Sequence, residues 1–185
     1  VACLRAVVAA LRNDPAAAIA TLYAPIDSAD QLFDPNCVKV VCDQRQRALY
    51  FSRAPIPWPR DDFAQSRERL PEGPFRRHVG LYAYRADTLL RMAQWPQTPL
   101  EKLESLEQLR LLENAQAIAI VAAPELVPAG VDTEADLDRV DALLRGVPAA
   151  EAPSARALEA PTAAARVRSL LFGCMGNICR SPLSE

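Results

Sequence analysis

The chain has 185 residues, 50% of them apolar and 24% charged, which is enough to bury one ordinary core and lacks a disorder signature over most of its length. Its 21 Lys and Arg are balanced by 23 Asp and Glu, and acidic residues interrupt the basic ones almost everywhere, so no nucleic-acid partner is expected. No apolar run approaches the roughly 20 residues that cross a bilayer, and the first residues lack the basic start and cleavage site of a secretory signal. No membrane insertion is therefore expected. Cys3, Cys37, Cys42, Cys174 and Cys179 are an odd number in irregular places, which suits reduced thiols and a cytoplasmic protein.

Val1, Leu4, Val7, Val8 and Leu11 recur at helical spacing with no leader or cap before them, which predicts a helix in a chain that begins inside a domain. Asn13, Asp14 and Pro15 break that pattern, and the short apolar run 18–24 reads as a buried strand. Ser28 and Gln31 have capping-box spacing and predict a short helix. The β-rich runs 38–42 and 48–51, parted by the polar stretch 43–47, predict a hairpin. Pro55, Pro57 and Pro59 impose an extended loop, and 61–73 reads as polar and mobile. A strand over 79–84 and a helix over 86–94 come next. Thr98, Pro99 and Glu101 supply an N-cap, a proline at the first helical position and a capping carboxylate, so 99–114 is expected as one helix. A strand over 117–122 and a helix opening at Thr133 and running to about 145 complete an alternation that implies an α/β sheet. Residues 146–166 have the Ala- and Pro-rich composition of a linker, and an apolar strand over 167–172 follows.

Four polar clusters fall at strand and helix ends, where open α/β sheets place ligands. They are Tyr50 to Arg53; Arg77 and His78 with Tyr82 and Tyr84; Glu107, Gln108 and Arg110; and Gly130 with Asp132 and Thr133. Their order along the chain resembles the C-terminal half of the 3-deoxy-manno-octulosonate (Kdo) cytidylyltransferases. The resemblance implies an incomplete mixed sheet of the nucleotide-diphospho-sugar transferase kind, a Rossmann-like α/β fold, with residues 1–145 forming the sugar side and the nucleotide-binding part missing. It also implies transfer of CMP from CTP to the anomeric hydroxyl of Kdo in lipopolysaccharide biosynthesis, with Mg2+ on the phosphates and pyrophosphate released. A homodimer is the implied state of the intact enzyme. In that role Arg53 forks onto the Kdo carboxylate, for which a planar guanidinium suits better than an ammonium. His78, Tyr82, Glu107 and Gln108 would hydrogen-bond the sugar hydroxyls, and Asp132 would ligate magnesium through carboxylate oxygen. Families that activate sialic acid share this chemistry.

Each residue alone has a plainer reading. His78 as a lone histidine is more often structural than a ligand group. Glu107 and Gln108 can line a helix face, and Asp132 can simply favour a helix dipole. It is the ordered set that carries the assignment.

The final segment, 167–185, runs from an apolar strand into Cys174, Gly176, Asn177, Ile178, Cys179, Arg180, Ser181 and Pro182. This resembles the opening of low-molecular-weight protein tyrosine phosphatases, whose loop wraps phosphate in backbone amides. By that resemblance Cys174 is the thiolate nucleophile, Arg180 the phosphate clamp, Ser181 a thiolate-stabilising hydroxyl and Asn177 a brace, with Cys179 able to pair with Cys174 on oxidation. Without a following helix and sheet the segment is expected to be a stray strand and phosphate loop with nothing to pack on. Two alternatives stay open beside the cytidylyltransferase: a phosphatase as the main function, and an inactive fusion fragment.

Overall fold

The computed structural model describes residues 1–125, 127 and 170–173, which belong to one compact unit made of Val1–Val127 and Val167–Glu185. The helix expected from Thr133 and the linker at 146–166 lie outside the described residues.

The described elements follow in chain order as α1 (Ala2–Asn13), β1 (Ala17–Pro25), α2 (Ala29–Phe33), β2 (Lys39–Cys42), β3 (Ala48–Ser52), α3 (Arg60–Gln65), β4 (Arg76–Arg85), α4 (Ala86–Met92), α5 (Pro99–Glu104), α6 (Gln108–Glu113), β5 (Ala117–Ala122) and β6 (Leu170–Gly173). The strands form one mixed sheet in the order β3-β2-β4-β1-β5, with β6 also on β4. β1 runs antiparallel to β4 and parallel to β5, so the sheet is α/β and mixed, as the alternation implied.

β1 is apolar on both faces because both faces are covered. Ala20, Leu22 and Ala24 join Ala83 of β4 and Ala119 of β5 beneath α1, whose Cys3, Val7 and Leu11 bury against them. Small side chains on the sheet let the helix approach closely. The apolar stripe of α1 differs from the expected one: Val1 is 80% exposed and Leu4 38%, while Cys3 is buried. Cys3, Val7 and Leu11 repeat at intervals of four and point down together, whereas Val1 only caps the helix.

On the opposite face Ile19, Phe51, Tyr82, Tyr84, Ile118 and Ile120 pack with Met92, Leu106, Leu109 and Leu111 from the helical region. A smaller cluster of Ile26, Leu32, Cys37, Phe63 and Phe75 fills the space beside α2 and α3. Helix α3 is an addition to the polar stretch expected at 61–73, and the burial of Phe63 accounts for it.

Two further expectations are corrected. The single helix over 99–114 is two, because Ser105 takes a left-handed conformation (φ 52, ψ 50) and ends α5. Leu106 then turns into the core and Glu107 begins the next helix. The strand after the linker is not stray either. The backbone of β6 pairs antiparallel with Tyr82 to Arg85 of β4. Since β1 occupies one edge of β4 at Tyr82 to Tyr84, β6 lies on the other edge, beyond the point where β2 meets Arg77.

Candidate active site

Arg53 directly follows β3, and almost every polar atom around it is engaged with the turn between α5 and α6. Its backbone N–H donates to Glu104 Oε2 (2.9 Å) and its Nε to the Glu104 carbonyl (2.7 Å). Nη1 donates to the Pro35 carbonyl at 3.0 Å and Nη2 to the Ser105 carbonyl at 3.4 Å. A guanidinium has five N–H groups, so one on each terminal nitrogen remains for a ligand. The Glu104 carboxylate also accepts from Ser52 Oγ (2.6 Å) and Tyr50 Oη (3.4 Å), and thereby gathers the end of β3 onto α5.

Beneath Arg53 lies Lys39, fully buried, whose Nζ donates to the Arg53 carbonyl (2.5 Å) and the Asp34 carbonyl (2.8 Å). Burial pulls its pKa down from the ordinary lysine value. The two carbonyl dipoles are what hold an amine at this depth.

His78 and Tyr82 lie on the helical face of β4. The imidazole meets Phe51 edge-on, with ring centroids 5.0 Å apart, and Tyr82 at 5.3 Å; Tyr82 in turn is 5.8 Å from Tyr84. Desolvation in this aromatic setting, reinforced by the positive charge of Arg77, lowers the His78 pKa from 6.5 to about 3, so the ring is neutral at physiological pH. Its Nε2 is 3.0 Å from Thr21 Oγ1 on β1.

The break at Ser105 puts Glu107 at the start of α6 and Gln108 within its first turn. Glu107 lines a shallow cleft of about 300 Å³ together with Gln97, Glu101, Lys102, Ser105 and Leu106. Gln108 is buried, and its Nε2 has no hydrogen-bond partner. The two short helices are locked together by Arg110, which forks onto the buried Glu101 carboxylate with Nε at 2.7 Å from Oε2 and Nη2 on Oε1. Glu101 Oε2 also accepts from the Thr98 N–H, the carboxylate half of a capping box. A separate cleft of about 280 Å³, lined by Asp27 to Asp30 and Glu68 to Leu70, contains none of the expected site residues.

Arg53 is thus tied to the Ser105 turn that precedes Glu107 and Gln108, and His78 and Tyr82 stack beside Phe51 on the face that these helices cover; of the five, Glu107 alone lines the cleft of about 300 Å³. Asp132, Cys174 and Arg180 lie outside the described residues. Among the described residues no three His, Cys, Asp or Glu side chains gather to hold a metal, and no helix is long and apolar enough to cross a membrane. Sequence reasoning missed Thr21, Lys39 and Glu104. Only Lys39 carried a local signal, as a charge inside an otherwise apolar run.

Residues 2–118 match the family model described as Cytidylyltransferase. A 3-deoxy-manno-octulosonate cytidylyltransferase of Alcanivorax borkumensis is 50% identical over 145 residues, covering 78% of this chain and 58% of the relative. The enzyme of the same name from Cellvibrio japonicus is 56% identical over 130 residues, covering 69% and 51%. A solved structure of CMP:2-keto-3-deoxy-manno-octonic acid synthetase complexed with CTP superposes with a TM-score of 0.63 at 42% identity, over 75% of this chain and 54% of that one. The chain thus spans between half and three-fifths of the length of these relatives. With the family model matched over most of its described residues, this chain belongs to the cytidylyltransferase family.

Proposed function

We propose that the chain supplies the sugar-binding side of an enzyme that moves CMP from CTP to the anomeric hydroxyl of Kdo and releases pyrophosphate. The observation that carries this reading is the Arg53 guanidinium, held by three backbone carbonyls with N–H groups to spare, in a chain half identical to enzymes of that name. The two spare N–H groups of Arg53 suit a carboxylate, and its carbonyl cradle fixes the direction of the fork before a ligand arrives. Glu107 accepts hydrogen bonds from sugar hydroxyls at the mouth of the cleft, and the unpaired amide of Gln108 donates one.

CTP and its magnesium belong, on this reading, to a segment that the relatives have and this chain does not span, with Asp132 reaching the metal from the sugar side. Magnesium would neutralise charge on the phosphates; the described face contributes hydrogen bonds and a guanidinium rather than a carboxylate cluster. Residues 1–145 are then the working part and 146–166 a linker.

The test is pyrophosphate release by the chain joined to the N-terminal segment of the Cellvibrio japonicus relative. Release is expected only with CTP, Kdo and Mg2+ together. Asp132→Asn should abolish it and Cys174→Ser should leave it unchanged. Turnover of CTP that is indifferent to Kdo would overturn the substrate, and full activity in Asp132→Asn would overturn the metal ligand.

A further inference from the structure

β4 carries two extra residues opposite β1: Thr21 pairs with Tyr82, but the next residue, Leu22, pairs with Val79, so Gly80 and Leu81 are bulged out. A bulge disrupts the ladder and leaves carbonyls in need of donors. Thr21, fully buried, projects its hydroxyl into that gap, with Oγ1 at 3.0 Å from the Val79 carbonyl and 2.9 Å from the Leu81 carbonyl. The same oxygen is 3.0 Å from His78 Nε2.

A hydroxyl has a single proton and two lone pairs. If Thr21 gave its proton to the imidazole, neither bulge carbonyl would receive it and only one hydrogen bond would form. If Thr21 gives it to a bulge carbonyl, Oγ1 can accept from Nε2–H and two hydrogen bonds form in a buried setting where unpaired groups are costly. The ring is neutral, so a proton on Nε2 leaves Nδ1 with a lone pair. Nδ1 makes no hydrogen bond among the described contacts and is not among the buried unpartnered atoms.

We propose that Thr21 is a positioning residue that fixes the tautomer of His78, keeping the proton on Nε2 and leaving the Nδ1 lone pair to accept from a sugar hydroxyl. The ligand-facing half of this proposal rests on the sugar-site reading above; the tautomer itself does not. A lone pair accepts from a hydroxyl and repels a carboxylate. An acidic sugar is thereby oriented from both ends: Arg53 takes the carboxylate and His78 refuses it while accepting a hydroxyl.

His78 is the only histidine in the chain, so long-range 1H–15N correlation of uniformly 15N-labelled protein reads its tautomer without assignment work. At neutral pH the wild type should show a protonated Nε2 and an unprotonated Nδ1. Thr21→Val keeps the shape and removes the hydroxyl, and should let the Nδ1–H form appear; Thr21→Ser should restore the wild-type pattern. A wild-type spectrum with the proton on Nδ1 overturns the proposal whether or not any variant folds, as does a folded Thr21→Val with an unchanged pattern. In the second arm, Kdo binding to the protein completed with its nucleotide segment should weaken roughly 3- to 10-fold in Thr21→Val and recover in Thr21→Ser, the worth of one hydrogen bond. Equal Kdo affinity in Thr21→Val overturns the ligand-facing half. Absence of Kdo binding even in the wild type overturns the sugar-site reading and, with it, that half alone, because the spectrum decides the tautomer.

Discussion

Acidifying the protein from pH 7 to pH 5 should destabilise it through His78. Its folded pKa is held at about 3 against 6.5 for an ordinary histidine, so below pH 6.5 the unfolded chain takes up a proton that the native ring refuses. Stability is therefore complete above 6.5 and is lost as the pH falls toward 3. Linkage over the interval from pH 7 to 5 gives a loss of about 2 kcal/mol, an upper figure because the ring is only half-buried by area. No other histidine titrates in that window. The Asp14 carboxyl, held down by its hydrogen bonds to Arg47, contributes stability that is lost only below the usual carboxylate range. Urea unfolding followed by fluorescence should show the midpoint dropping by roughly 1 M with an unchanged slope. His78→Asn should flatten the dependence between pH 6.5 and 5. Equal wild-type midpoints at the two pH values, or the same drop in the variant, would refute the assignment.

Other expected outcomes follow from the same contacts. Glu104→Ala removes the acceptor of the Arg53 backbone N–H and Ser52 hydroxyl and should cost about 1–3 kcal/mol in urea titration. Arg110→Met strands the buried Glu101 carboxylate and should destabilise by about 3–5 kcal/mol, whereas the double change Glu101→Leu with Arg110→Met should recover most of that by calorimetry. Ala115 is exposed and left-handed at φ 56, so Ala115→Gly should stabilise by about 0.5–1 kcal/mol, read as a higher thermal midpoint.

The elements that sequence reading recovered are those whose signals are local. β1 announces itself by a short apolar run broken only by Thr21, the β2–β3 hairpin by two β-rich runs with a polar turn, and α2 by Ser28, whose hydroxyl does accept from the Gln31 N–H. The split between α5 and α6 was invisible because neither Gly nor Pro marks it; Ser105 is driven left-handed by the competing demands of Glu104 on β3, Leu106 on the core and Arg110 on Glu101. Of the expected site, Arg53, His78, Tyr82, Glu107 and Gln108 came from the resemblance alone; the structure ties Arg53 to the Ser105 turn and stacks His78 on Tyr82. Thr21 and Glu104 act across sequence separations of 57 and 51 residues, on His78 and Arg53 respectively, and no spacing rule reaches that far. Lys39 differs in leaving a local mark, a charge inside an apolar run, and the structure buries it fully with its ammonium on two backbone carbonyls.

The β2–β3 hairpin is gripped at both of its ends. At the turn, Arg47 forks onto Asp14 at 2.7 Å through Nε and Nη2, and the Gln46 carbonyl accepts from the Ile120 N–H of β5. At the far end, Lys39 and Glu104 fasten Arg53. Mechanically this is a beam supported at two points, with the Arg53 guanidinium near one support. Such a beam transmits a tilt: loosening the turn, for instance by Asp14→Asn, should displace Arg53 from a distance without touching any group within the proposed sugar site. Lesions at this turn would then mimic lesions in the cleft, and a screen that ranked residues by activity alone would mistake the support for the site.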